Sequence, residues 1–84
     1  MKYKVTYKAD AQRGIGALTP AQRRAVMDAE QVLAVRPTAV GEVHEGSGPT
    51  ALRRLVLDAA RVSIGYRVFD SVVHVEIVWI IGHP

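Results

Sequence analysis

The last third of the chain constrains it most, because Arg61 to Val68 and Val72 to Ile81 read as the two arms of a β-hairpin ending in Gly82-His83-Pro84. In the first arm Val62, Ile64, Tyr66 and Val68 alternate with Arg61, Ser63, Gly65 and Arg67, the period of a strand with one buried face. In the second arm Val73, Val75, Ile77, Trp79 and Ile81 share one face, and Val72, His74, Glu76, Val78 and Ile80 share the other. A two-residue turn at Asp70-Ser71 sets Val68 against Val73, Tyr66 against Val75, Ile64 against Ile77 and Val62 against Trp79. A slip of one residue would set Ile64 against Glu76 and Tyr66 against His74, so the two-residue register is preferred. It puts Trp79 in the core. It also gathers Arg61, Ser63, Arg67, His74 and Glu76 on a second face, with Arg67 opposite His74 and Gly65 opposite Glu76.

Upstream, Tyr3, Val5 and Tyr7 alternate with Lys2, Lys4, Thr6 and Lys8 to give a first strand with a basic face. Lys2 and Lys4 on that basic face protect an edge strand from pairing with other chains. A short helix is predicted from Asp10 to Leu18, weakened by Gly14 and Gly16 at about 1 kcal/mol each. A second helix starts with Thr19 as cap and Pro20 in its first turn, buries Val26, Ala29 and Leu33, and ends before Pro37. Residues 38–50 read as a loop with a short extended piece around Val40 and Val43, and Leu52 to Asp58 as a strand with Leu55 and Leu57 inward. The predicted order is strand, helix, helix, strand, strand, strand. That is an α+β fold with two N-terminal-half helices packed on a mainly antiparallel four-stranded sheet.

Eighty-four residues make one domain with one modest core. The chain has no cysteine, so a disulfide framework and a thiolate metal site are both excluded, and its three histidines show no metal-ligand spacing. Gly46-Ser47-Gly48-Pro49 lacks the lysine of a phosphate-binding loop and precedes a strand. The start, Met1-Lys2-Tyr3-Lys4-Val5, has no apolar signal core, and the apolar stretch near Val72 is about half of what spans a bilayer. The expected location is cytoplasmic, with no membrane association and no cofactor. The net charge of +3 rests largely on arginines, whose planar forks suit phosphate and carboxylate partners.

The opening strand Lys2-Tyr3-Lys4-Val5-Thr6-Tyr7, the helical hairpin ending near Pro37, Leu52-Arg53-Arg54-Leu55, the Tyr66-Arg67-Val68 string and the valine-rich strand closing on Ile81-Gly82-His83 together resemble the RelE/ParE superfamily of bacterial toxins. The resemblance implies a toxin held by a cognate antitoxin and, in the RelE branch, a metal-independent endoribonuclease that cuts mRNA on the ribosome. In such a reaction the 2′-hydroxyl attacks the adjacent phosphate, so the site must move protons and stabilise added negative charge. Carried over by position, the family's strand arginine falls on Arg61 or Arg67, its basic positions on the preceding strand on Arg53 and Arg54, and its terminal basic position on His83. Pro84 stands where the family commonly has an arginine, the loss of a cation worth a few kcal/mol to a transition state.

His74 and Glu76 offer an acid-base pair of their own, against the reading of a solvated strand face, and His44 between Glu42 and Glu45 reads as surface. Three functions follow. An RNA-cleaving toxin requires Arg61, Arg67 and Arg53 or Arg54 to converge on one exposed concavity. The alternatives are a ParE-like toxin that poisons DNA gyrase by binding, and an inert member kept as a binding module. Val72, Val78 and Ile80, on the face opposite the Val73 to Trp79 stripe, leave apolar surface for an amphipathic antitoxin helix or a second copy of the chain.

Overall fold

In a computed structural model that describes residues 2–84, the chain forms β1 (Lys4–Tyr7), α1 (Ala9–Gly16), α2 (Pro20–Val35), β2 (Glu42–Glu45), β3 (Leu52–Leu57), β4 (Val62–Phe69) and β5 (His74–Gly82). The sheet order is β1-β5-β4-β3-β2, with β1 parallel to β5 and every other pair antiparallel. The fold is α+β as expected, but the sheet has five strands rather than four. The extra strand is β2, whose four residues are all exposed, so no apolar alternation marks it in the sequence.

Thr19 caps α2 as predicted. The Gln22 amide N–H donates to Thr19 Oγ1 at 3.2 Å and the Thr19 N–H donates to Gln22 Oε1 at 3.0 Å, a reciprocal capping box. Val26, Ala29 and Leu33 are buried on the sheet together with Ala11 and Leu18. A glycine sits in the middle of α1 for a reason of space: a Cβ on Gly14 would lie 2.2 Å from the Ile80 carbonyl oxygen. Close approach to β5 therefore requires the residue that helix propensity disfavours.

The hairpin departs from the predicted register. A 3₁₀ turn over Asp70–Val72, closed by Val73 at φ +50°, replaces the two-residue turn. Phe69 now opposes His74, Val68 opposes Val75, Tyr66 opposes Ile77 and Arg67 opposes Glu76. A two-residue shift preserves the faces, so Val75 and Ile77 enter the core as expected. The faces change at Val78. The ladder passes from the Tyr66 and Ile77 pair to the Gly65 and Trp79 pair, leaving Val78 as the extra residue of a β-bulge. Beyond it Ile80 turns into the core and is 4% exposed, whereas Trp79 and Ile81 turn to the face away from the helices. Trp79 is not a core residue, and Ile80 is not spare apolar surface.

Arg53 lies on the helix side of β3, paired with Tyr66. Its Nε donates to the Tyr66 hydroxyl at 3.3 Å, and its Nη2 donates to the carbonyls of Thr38, Val40 and Gly41 at 3.2, 3.0 and 3.3 Å. The Tyr66 hydroxyl in turn lies 2.8 Å from the Pro37 carbonyl and 2.9 Å from that of Val40. Together these bonds anchor the segment after α2, which delivers β2 to the sheet edge.

Candidate functional site

The face of the sheet away from the helices is built by register. Arg54 pairs with Gly65 and Gly65 with Trp79, so these three positions share that face; Ser63 and Ile81 form the next pair along β4 and β5. On β2, Glu42 pairs with Arg54, and the register shifts between Val43 and Glu45, leaving His44 as the unpaired residue that reaches the cavity. His83 follows Gly82, and its N–H donates to the Arg61 carbonyl at 2.7 Å, which prolongs the ladder by one residue. These placements enclose a cavity of about 350 Å³ lined by His44, Arg54, Ser63, Trp79, Ile81 and His83.

Within the cavity, Ser63 Oγ lies 3.0 Å from His83 Nε2, and Ser63 is itself buried. The His44 ring stands edge-on to Trp79, with centroids 6.0 Å apart and planes at 74°. The Arg54 Nε is buried without a hydrogen-bond partner. Although Glu42 is the cross-strand neighbour of Arg54, the one ion pair among the described residues joins Arg13 and Asp10 on α1. A guanidinium that remains charged and lacks a carboxylate is an anion site in waiting. Two imidazoles, those of His44 and His83, line the same cavity. Larger cavities lie on the outer side of α2, about 680 Å³ along Pro20, Arg23, Arg24 and Met27, and between α2 and the β3–β4 turn, about 390 Å³. Neither is lined by a histidine or a hydroxyl, so size and chemistry point to different places, and the chemistry is on the sheet.

The fold was compared with known structures. A chain of the RelBE2 toxin-antitoxin complex from Mycobacterium tuberculosis superimposes with a TM-score of 0.80 at 22% identity, covering 99% of this chain and 100% of that one. A chain of the RelE-RelB complex from Pyrococcus horikoshii OT3 gives 0.81 at 20% identity, covering 98% and 96%. The isolated E. coli RelE toxin gives 0.77 at 15% identity, covering 98% and 85%. This is the RelE toxin fold. No family model and no curated protein matches the chain at the level of sequence.

Within this RelE fold the predicted site residues separate. Arg61 sits in the β3–β4 turn at φ +57° and donates from Nη1 to the Pro84 carbonyl at 2.6 Å. Arg67 lies six residues along β4, roughly 20 Å away, and donates to the Thr50 carbonyl at 2.9 Å. Arg53 is on the opposite side of the sheet from Arg54. The expected convergence of Arg61, Arg67 and Arg53 or Arg54 on one concavity does not occur, because Arg61 precedes the strand and neighbours on one strand point to opposite faces. Of the predicted set, Arg54 and His83 meet in the cavity.

His74 and Glu76 share the outer face nearer β1, where His74 Nε2 lies 2.6 Å from Thr6 Oγ1 and Lys4 is the register partner of His74. Arg67 pairs with Glu76 rather than with His74. Lys2 is exposed, just ahead of β1. Sequence reasoning missed His44 and Ser63 as cavity residues and assigned Trp79 inward. No local signal marks His44, because β2 is exposed throughout and His44 falls where its register with β3 shifts. No helix of the described residues is long and apolar enough to cross a membrane.

Proposed function

We propose that this chain is the toxin of a toxin-antitoxin pair, a RelE-like endoribonuclease that cleaves mRNA on the ribosome and so stops translation. The observation that carries this reading is the outer-face cavity, where the unpaired Arg54 guanidinium stands with His44 and His83 on a RelE fold. In the proposed step the 2′-oxygen bonds to the adjacent phosphorus and the bond from phosphorus to the 5′-oxygen breaks. One imidazole takes the proton of the 2′-hydroxyl, and the other gives a proton to the leaving 5′-oxygen. A 2′,3′-cyclic phosphate and a 5′-hydroxyl result, with no metal or cofactor taking part.

Arg54 supplies the charge-assisted contact to the pentavalent phosphate that Pro84 withholds, and Ser63 orients His83. Lys2, Lys4 and Arg67, together with the His74 and Glu76 patch, then serve the RNA approaching along the same side of the sheet. The partner for storage is a cognate antitoxin. Apolar surface for it lies on α2, where Met27 and Val35 are 68% and 50% exposed, and in the adjoining groove that includes Val32, Leu57 and Ala60. Of the apolar surface expected on the hairpin, Ile80 is buried while Val72 stays 67% exposed, so α2 adds to the residual apolar surface rather than replacing it.

The test is a cell-free bacterial translation reaction in which new mRNA ends are mapped against the reading frame for wild type, Arg54→Met, His83→Gln and His44→Gln. In-frame cuts with 5′-hydroxyl ends that need ribosomes and disappear in Arg54→Met are expected. Intact mRNA accompanied by inhibition of gyrase would replace this reading with the gyrase-poisoning one.

A further inference from the structure

We infer that Trp79 is the floor of a nucleobase subsite, and that the base stacked there belongs to a nucleotide whose phosphate meets Arg54. This deepens the RNA-cleaving reading above and rests on it. The β-bulge at Val78 re-aims Trp79, since without the extra residue the indole would continue the Val75 and Ile77 stripe into the core. Once outside, the indole lies across Gly65. A Cβ there would stand 2.2 to 2.6 Å from Trp79 Cε2, Nε1 and Cδ2, so only glycine at the register partner lets the ring settle against the strand. With one face of the indole seated on backbone, the ring lines the cavity, and His44 stands edge-on at one border.

A large aromatic plane is costly to leave in water on a small domain, yet here it is turned away from the core at the expense of a regular ladder. Around it are a cation, two imidazoles and a hydroxyl, a set that suits a phosphate beside a flat aromatic group. The cavity of about 350 Å³ admits one nucleotide rather than a helix or a strand of protein. Stacking reads area more than hydrogen-bond pattern, so a purine should be held more tightly than a pyrimidine.

Trp79 is the only tryptophan in the chain, so its fluorescence reports this subsite alone. Adenosine 3′-monophosphate, cytidine 3′-monophosphate and inorganic phosphate would be titrated into the wild-type protein, with emission and calorimetric affinity followed together. Saturable quenching by the adenosine nucleotide, weaker quenching by the cytidine nucleotide and none by phosphate are expected. In Trp79→Leu the affinity for the adenosine nucleotide should fall by about 5- to 150-fold while that for inorganic phosphate is kept. Trp79→Phe, the more conservative variant, should fall between. Undiminished nucleotide affinity in a folded Trp79→Leu, or binding without any change in emission, would overturn the subsite and leave the cleavage reading standing. Failure of wild type to bind either the nucleotides or phosphate would overturn both.

Discussion

Ser63 Oγ and His83 Nε2 stand 3.0 Å apart at the point where β4 meets the end of β5, and this contact joins a buried hydroxyl to an exposed imidazole. The His83 backbone is already tied to the Arg61 carbonyl, and this contact fixes its ring. Removing the hydroxyl should therefore cost little stability, about 1 kcal/mol, yet loosen the imidazole. Ser63→Ala is expected to lower the rate of mRNA cleavage by about tenfold with little change in RNA affinity, and Ser63→Thr should restore part of it. Single-turnover cleavage set beside an RNA-binding titration checks this split.

Arg53 and Arg54 are adjacent in sequence and opposite in consequence. Arg53 spends its donors on three carbonyls and the Tyr66 hydroxyl, so Arg53→Ala should destabilise the protein by about 2–4 kcal/mol. Arg54 holds a buried Nε without a partner, and Arg54→Met should leave stability unchanged or raise it by about 1 kcal/mol while abolishing cleavage. Urea denaturation of both variants is the direct comparison. Equal losses of stability would contradict the assignment of one arginine to structure and the other to the site.

The two glycines of α1 should respond with opposite sign. A side chain at Gly14 meets the Ile80 carbonyl at 2.2 Å, so Gly14→Ala should destabilise by about 1–3 kcal/mol despite the better helix propensity. Nothing lies within 4 Å of a Cβ on Gly16, and Gly16→Ala should stabilise by about 0.5–1 kcal/mol. Thermal melting of the pair reads the difference as shifts in opposite directions.

Tyr7 donates a hydrogen bond to the Glu30 carboxylate. Burial first, and then that bond and the nearby charge, push its phenol above the ordinary tyrosine range. The unfolded phenol ionises near pH 10.0 and the native one only at higher pH, so above that point the unfolded chain binds fewer protons than the native one. The stabilisation from Tyr7 is complete below the unfolded pKa and is lost as the pH rises through the range above it. Denaturation midpoints at about pH 8 and about pH 11 should show a steeper alkaline loss in wild type than in Tyr7→Phe. Parallel losses in the two proteins would contradict this.

Much of the fold was legible in the residues themselves. The capping box at Thr19 and Gln22, the buried stripe of Val26, Ala29 and Leu33, and the alternation of Val62 to Val68 are local signals, each carried by side chains only a few positions apart. They determined two helices, a buried β4 and an α+β arrangement. Arg54 and His83 could be picked out by type, because strand arginines and a histidine after a strand keep their chemistry whatever their neighbours. Tertiary structure alone decided three things. It decided that β2 is a strand, since four exposed residues owe their pairing to β3 and to the loop anchored by Arg53 and Tyr66. It decided which arginines share a face, because Arg61 falls in a turn while Arg53 and Arg54 point to opposite sides. Above all it placed Trp79. Period-2 alternation assumes an unbroken ladder, and one unpaired residue at Val78 inverts every side chain after it, sending Ile80 inward and the indole out over Gly65. The bulge leaves no mark in a run of apolar residues in which either face is greasy enough to be buried.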